Sequence, residues 1–109
     1  MKVTVKGHTT VIRNTADTAV VFCDKISHEL GNFRTQNLIL DLTHGRVSLA
    51  DINGFLSLSK AHKKEKKSFV IVAQDMDYNA IPNSLHVVPS LQEAHDIIEM
   101  EEIERDLGF

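Results

Sequence analysis

Several residue types are scarce in this chain of 109 residues. Tryptophan is absent and aromatic residues make up only 6% of the sequence, so the core must consist mainly of aliphatic side chains. The single cysteine, Cys23, excludes an intramolecular disulfide and is typical of a reducing compartment. No apolar run is long enough for a membrane span, and no apolar signal core follows Met1. We therefore expect a cytoplasmic protein that has no contact with a membrane.

An excess of charge of either sign is also missing. The formal net charge is −3 and the pI is near 6.0, so the field of the whole molecule does not attract nucleic acid, and contact with nucleic acid would need a local basic patch. Apolar residues make up 42% of the chain and charged residues 25%, an ordinary globular mixture. We expect residues 1–109 to form one domain that folds without disulfides or structural metal.

Two continuous apolar runs form the centre of the sequence pattern. They are N-L-I-L-D-L-T at 37–43 and S-F-V-I-V at 68–72. Unbroken apolar runs are typical of inner strands in a parallel or mixed sheet that is covered by helices. Between them, Ser48 and Asp51 have the spacing of a capping box at the start of a helix. The pattern predicts a β-α-β unit, with Leu38, Ile39 and Leu40 in an interior strand.

Further elements are predicted on either side of this unit. Residues 2–6 and 9–13 alternate in polarity and predict a hairpin. Asn14 is the predicted cap of a first helix, with Asp17 in its first turn. Residues 75–84 predict an irregular connection, and 85–88 a short strand. Ser90 and Glu93 predict a capping box for the last helix. The apolar face of that helix is predicted to contain Leu91, Ala94, Ile97, Ile98, Ile103 and Leu107.

This order of elements, with V-S-L-A-D-I-N-G-F-L-S-L-S-K-A-H-K after the first apolar run and V-V-P-S-L-Q-E-A-H-D-I-I near the end, resembles the STAS domain. That family is named for sulphate transporters and anti-sigma-factor antagonists. The resemblance covers nearly the whole chain. It implies an α/β fold with a mixed sheet and helices packed mainly on one face. It also implies a short stand-alone bacterial regulatory module that binds another protein and is not an enzyme.

The family's regulatory phosphorylation site is altered in this chain. Antagonist-type members have Asp-Ser-Ser/Thr-Gly at the start of the second helix, and the second hydroxyl residue is phosphorylated. An alignment without gaps places Ser48 at the Asp position and Ala50 at the phosphorylated position, whereas a shorter helix places Asn53 there. Neither alignment leaves a hydroxyl group at that position. The resemblance therefore implies a module without the phosphorylatable residue, and we interpret Ser48 as a helix cap.

In the family, the second helix and the loop before it form the partner surface. Transferred to this chain, the predicted partner-binding residues are Ser48, Leu49, Ala50, Asp51, Asn53, Gly54 and Ser57. The partner is expected to be another protein. A homodimer is a further possibility, because the last helix is rich in carboxylates that could meet the lysines of a second copy.

Those lysines are Lys60, Lys63, Lys64, Lys66 and Lys67. Lysines at a helix end complement the helix dipole, so a solvated surface is the favoured interpretation. The alternative is an accessory protein of RNA processing that contacts RNA or a ribonuclease through these lysines. The end of the chain also resembles short chains associated by name with ribonuclease Z. However, the His-x-His-x-Asp-His cluster that this enzyme activity needs is absent from the sequence.

Other candidate sites have ordinary explanations. The six histidines are at least nine residues apart and lack the spacing of zinc ligands. Cys23 lies on the predicted apolar face of the first helix and is expected to pack in the core. His44 follows the central strand, where open α/β sheets bind ligands, and Asp41, Thr43, Asp51 and Asn53 could share that edge. An enzyme with a site there is the rival hypothesis. We expect no catalytic residues, cofactor or metal.

The first testable prediction concerns metal content. Protein purified without an affinity tag should contain only trace zinc, iron and manganese by elemental analysis, because the histidines lack ligand spacing. A stoichiometric amount of any of these metals would contradict the prediction.

Overall fold

The computed structural model describes residues 1–108, which form one five-stranded mixed sheet with helices on both faces. The strands are β1 (Lys2–Lys6), β2 (Thr9–Arg13), β3 (Asn37–Asp41), β4 (Phe69–Val72) and β5 (His86–Val88). The helices are α1 (Ala19–Glu29), α2 (Leu49–Asn53), α3 (Leu56–Lys64) and α4 (Leu91–Asp106). The strand order follows the chain. β1 and β2 are antiparallel, and all other neighbours are parallel.

The predicted hairpin is confirmed by β1 and β2. Gly7 lies between the two strands with φ of +60°, a conformation that glycine adopts without a steric penalty. β1 is exposed along its whole length, whereas Thr9, Thr10 and Ile12 of β2 are buried. β1 therefore forms an exposed edge of the sheet.

The predicted interior strand is also confirmed. β3 lies between β2 and β4, and all five of its residues are buried. Leu38 and Leu40 face one side and join the larger hydrophobic cluster, whereas Ile39 faces the other side. Because side chains alternate along a strand, burial of consecutive residues requires packing on both faces of the sheet.

The helices divide unequally between the two faces. Helices α1, α2 and α3 bury Phe22, Ile26, Ile52 and Leu58 in the larger cluster, and Phe55, which lies between α2 and α3, joins them. The opposite face is covered by α4, where Ala94 and Ile98 pack against residues of β3 and β4. This arrangement confirms the predicted mixed sheet with helices mainly on one face. No helix in residues 1–108 is long and apolar enough to cross a membrane.

The predicted start of the first helix is wrong. Thr18 is the cap, and its side chain accepts a hydrogen bond from the Val21 N–H. The Asn14 side chain instead closes a turn onto Asp17, with hydrogen bonds of 3.0 and 2.7 Å to its backbone N–H and carbonyl. Asp17 lies before the helix and pairs with Lys25. Asn14 cannot start the helix because its N–H still extends the sheet pairing, at 2.9 Å from the Asp41 carbonyl.

The second helix is not continuous as predicted but is interrupted at Gly54 and Phe55. The Phe55 N–H donates to the Ile52 carbonyl at 3.0 Å, a three-residue turn that brings Ile52 and Phe55 to one face. Both side chains are fully buried. A Cβ at position 54 would lie 3.1 Å from the Asp51 carbonyl oxygen, so glycine suits this tight turn.

The predicted apolar face of the last helix is only partly correct. Ala94 and Ile98 are buried and Ile97 is half-buried. Leu91, Ile103 and Leu107 are exposed by 40%, 54% and 67%, respectively. The difference arises because polar residues take the sheet-facing positions in the second half of α4. Glu102 and Arg105 contact Asn37 there, so Ile103 and Leu107 lie on other sides of the helix. Only half of its predicted capping box is present. The Ser90 hydroxyl accepts from the Glu93 N–H at 3.2 Å, but the Glu93 carboxylate accepts from that hydroxyl and not from the Ser90 N–H.

The cap of α2 gives the second testable prediction. Ser48→Ala should lower the free energy of unfolding by about 1 kcal/mol, because the Asp51 N–H loses its side-chain acceptor. Urea unfolding measures the change. Ser57→Ala is the matched control. Ser57 is exposed within α3, and alanine favours the helix, so stability should be unchanged or slightly higher. An equal loss in both variants would contradict the capping role.

Candidate functional site

The start of α2 is held by a complete capping box. The Ser48 hydroxyl accepts a hydrogen bond from the Asp51 N–H at 3.1 Å, and Asp51 Oδ2 accepts from the Ser48 N–H at 3.0 Å. The box fixes the direction in which the chain enters the helix. Leu49, Ala50 and Asn53 remain exposed beside it. The capping interpretation of Ser48 is therefore confirmed.

A groove lies between this region and α1. Its volume is about 480 Å³, and it is lined by Val20, Cys23, Asp24, Ser27, Ala50, Asp51, Gly54, Ser57 and Leu58. Four of the seven predicted partner-binding residues, Ala50, Asp51, Gly54 and Ser57, line the groove. The other three, Ser48, Leu49 and Asn53, are exposed close to them in sequence. The break at Gly54 and Phe55 brings α2 and α3 together along one side of the groove.

Sequence reasoning missed the side of the groove that α1 contributes. Val20, Asp24 and Ser27 recur at helical spacing on a face next to the buried stripe of Phe22 and Ile26. Val20 is 69% exposed in the structure. The signal available in the sequence was a valine at helical spacing from Asp24 and Ser27, beside the apolar stripe. The signal is weak, because single exposed apolar residues are common on protein surfaces.

Cys23 packs against the larger cluster, as predicted, and is half-buried. Its thiol lies 3.4 Å from the Gly54 carbonyl and donates a hydrogen bond to it. Burial raises the pKa of Cys23, and the nearby Asp24 carboxylate raises it further. A protonated thiol is a poor nucleophile, so this environment favours a packing role.

The sheet edge after β3, where the rival hypothesis places an enzyme site, does not bring His44, Asp41 and Asp51 together. A cavity of about 490 Å³ lies there, lined by Thr43, Gly45, Arg46, Val47, Gln74 and Asp75. His44 is exposed and is not among the lining residues. Asp41 is buried, and its Oδ1 accepts hydrogen bonds from the Thr43 N–H and hydroxyl at 3.0 and 2.6 Å. Asp51 belongs to the capping box. Asp41 and Asp51 therefore serve two separate local structures.

The five lysines of the basic cluster also separate. Lys63, Lys66 and Lys67 line a pocket of about 440 Å³ together with Glu101, Arg105 and Gly108. Lys60 and Lys64 are exposed and do not line it. The pocket joins the end of α3 to the second half of α4. The sequence did not predict that Arg105 would lie beside the lysines. It is held there by a contact with Ser68, which directly follows the lysines but lies 37 positions before Arg105 in the chain.

A polar network supports this pocket at the edge where the parallel strands begin. Asn37 is its centre: its Oδ1 accepts from the Ser68 N–H at 2.9 Å and from Arg105 at 3.2 Å. The Asn37 amide donates to Glu102 at 2.8 Å. Arg105 also donates to the Ser68 hydroxyl at 3.2 Å. One buried amide therefore connects β3, the start of β4 and α4.

Glu101 belongs to the same region. Its Oε2 lies 3.3 Å from Nε2 of His86. The hydrogen bond with His86 holds the pKa of Glu101 below its usual range against the opposing effect of burial, and Ser68 and Lys63 act in the same direction as His86. The carboxylate is therefore charged at neutral pH.

The histidines are dispersed, as the sequence predicts. Within residues 1–108, no three His, Cys, Asp or Glu side chains gather in a way that could hold a metal ion. His62 is buried, which was not specifically predicted. Its Nε2 lies 2.6 Å from the Gln36 carbonyl, and its ring packs against Phe69. His62 is therefore a core residue with a satisfied hydrogen bond.

Comparisons with known proteins bear on the fold. No model of a known protein family matches the chain, and a search of curated proteins finds no match. A solved structure of a serine-to-glutamate variant of RsbS from Moorella thermoacetica has a TM-score of 0.61 at 11% identity. The match covers 91% of this chain and 94% of that chain. The chain therefore has a STAS-like fold, whereas the likeness to chains named for ribonuclease Z gains no support.

His62 gives the third testable prediction. Burial lowers the pKa of His62 below 6.5, so the unfolded chain takes up the proton first as the pH falls. The stability that His62 contributes is complete above the pKa of this histidine in the unfolded chain. It is lost progressively as the pH falls from that pKa towards the lower pKa of the folded state. Urea unfolding between about pH 7.5 and 5.5 should therefore show declining stability.

His62→Gln should reduce this decline, because glutamine does not titrate and its amide can still donate to the Gln36 carbonyl. His44→Gln changes an exposed histidine and is the matched control. Equal pH dependence in the wild type and His62→Gln would refute the assignment.

Proposed function

We propose that this chain is a non-catalytic regulatory module that binds another protein through α2, the start of α3 and the facing side of α1. The observation that carries the proposal is the groove of about 480 Å³ between these helices. It contains four residues that the STAS resemblance assigns to the partner surface. The fold shared with RsbS, a STAS-domain anti-sigma-factor antagonist, supports the same function.

The lining of the groove indicates the chemistry of the partner. Val20 offers exposed apolar surface, and Leu58 lines the groove nearby. Asp24 and Asp51 contribute two carboxylates. A partner segment with an apolar side chain next to a basic one would match this surface, because charge complementarity favours the correct orientation.

Docking in this proposal does not depend on phosphorylation. Ala50 and Asn53, the two positions that can align with the family's phosphosite, have no hydroxyl group. The hydroxyl of Ser48 is used in the capping box. We expect Ser48 to be unmodified in protein isolated from its own cells, as mass spectrometry would show.

A homodimer would use a different surface. Met100 and Ile103 of α4 and Leu107 at its C-terminal cap lie three and four residues apart and are exposed by 60%, 54% and 67%. Carboxylates flank them along the same helix. This surface supports contact with a second copy, but it contains none of the residues that line the α1–α2 groove.

Glutamate substitutions in the groove region give the fourth testable prediction. Ala50→Glu and Asn53→Glu should each reduce partner capture from a lysate of the source organism by about tenfold or more, because docking would desolvate an unpaired carboxylate. Both positions are exposed, so the fold should be retained. Circular dichroism checks the fold, and quantitative mass spectrometry of the captured proteins measures binding.

Ala80→Glu and Asn83→Glu are matched controls. They introduce the same charge at exposed positions in the connection between β4 and β5, and capture should be unchanged. Capture that survives both substitutions near the groove, or falls equally in the controls, would contradict the proposed surface.

A further inference from the structure

The pocket between α3 and α4 concentrates positive charge in an acidic protein. Lys63, Lys66, Lys67 and Arg105 line it, with Glu101 as the only carboxylate among its lining residues within 1–108. The chain as a whole has a net charge of −3. Within residues 1–108, none of the four basic side chains forms an ion pair. Within the described residues the lining therefore carries more positive than negative charge, which favours an anion.

Two of the four basic groups are held in place by the fold. The Arg105 guanidinium donates to the Ser68 hydroxyl and to Asn37 Oδ1, both at 3.2 Å. Lys63 Nζ donates to the Ser84 carbonyl. These bonds use only some of the donors that arginine and lysine have, so others remain for a ligand. A preorganised donor loses less conformational entropy on binding than a free side chain.

Lys66 has an unusual backbone conformation at the rim of this pocket. Its φ is +60°, in the left-handed region that favours glycine. It follows the end of α3, where its N–H donates to the Lys63 carbonyl at 2.9 Å, and glycine is the usual residue at such a position. A lysine in a conformation that disfavours it suggests that its side chain has a function.

The geometry points to the class of ligand. We propose that this pocket binds the phosphate group of a small anionic molecule, either free phosphate or a phosphomonoester. Arginine binds phosphate oxygens through its fork of N–H donors, and lysine contributes point charges. A volume of about 440 Å³ lies within the range of small-molecule sites.

A polynucleotide fits this pocket less well. Lys60 and Lys64 are outside it, so the five lysines do not form one continuous track. None of its lining residues within 1–108 is aromatic, whereas single-stranded nucleic acid is usually bound on aromatic stacking surfaces. Glu101 would also repel a second phosphate nearby. The site is independent of the partner-binding groove, which has different lining residues.

The proposal is tested by titrating the intact protein with inorganic phosphate and with adenosine monophosphate. Isothermal calorimetry at constant ionic strength should detect saturable binding of at least one of them. Lys67→Gln should weaken binding by about tenfold through loss of one charge-assisted contact. Lys64→Gln removes the same charge outside the pocket and should leave affinity unchanged. Glu101→Gln should strengthen binding.

Lys66→Gly separates a ligand role from a structural one. It removes a charge but relieves the left-handed conformation, so thermal stability should rise while phosphate affinity falls by about tenfold. Tighter binding of the nucleotide than of phosphate would identify a phosphomonoester as the ligand class, tighter binding of phosphate would identify the free ion, and equal affinity would show that the pocket recognises only the phosphate group.

Three results would overturn the proposal. The first is no saturable binding of either probe up to about 10 mM, a concentration that detects even weak sites. The second is an equal loss of affinity in Lys64→Gln and Lys67→Gln, which would indicate general attraction of anions. The third is that a single-stranded RNA binds more tightly than either probe and that Lys64→Gln weakens this binding as much as Lys67→Gln does. This result would assign the lysines to a polynucleotide.

Discussion

Burial of β3 on both faces is the constraint on which the rest of the structure depends. Leu38 and Leu40 need cover on one side of the sheet and Ile39 needs cover on the other. The chain provides it with α1, α2 and α3 on the first face and α4 on the second. Hydrophobic burial is not directional, but the alternation of side chains along a strand makes it two-sided. The positions of all four helices follow from this requirement.

The same arrangement separates the two candidate sites. Because β3, β4 and β5 are parallel, their beginnings lie at one edge of the sheet and their ends at the other. The turn after β3 leads to the start of α2 and so to the α1–α2 groove. The opposite edge contains Asn37 and Ser68, with Arg105 bonded to both. A protein-binding surface and an anion pocket could therefore operate without sharing a side chain.

Local backbone geometry shapes both sites. At Gly54 and Phe55 the three-residue turn buries Ile52 and Phe55 together, and the Cys23 thiol bonds to the Gly54 carbonyl. At Lys66 the chain takes a left-handed conformation and directs the segment from α3 towards β4. In the first case glycine is present and the turn is unstrained. In the second case lysine occupies a position that suits glycine, which distinguishes the pocket from an ordinary helix end.

Local patterns in the sequence determined the central β-α-β unit, the hairpin and the caps at Ser48 and Ser90. Each depends on residues within a few positions of one another, where hydrogen bonding and side-chain alternation are decided locally. The STAS resemblance likewise indicated the fold, whereas the partner surface that it assigns to α2 stays a prediction. The start of the first helix was predicted incorrectly, because pairing of Asn14 with Asp41 across the sheet overrides its local capping preference.

Only the tertiary structure decided which distant residues meet. It brought Val20 and Asp24 to the groove, and it placed Arg105 beside Lys63 and Lys66 in the pocket. It also left Ile103 and Leu107 exposed, because Glu102 and Arg105 face the sheet in the second half of α4. Sequence periodicity identifies a face that can be buried. The long-range contacts of the neighbouring polar residues determine which side of the helix meets the sheet.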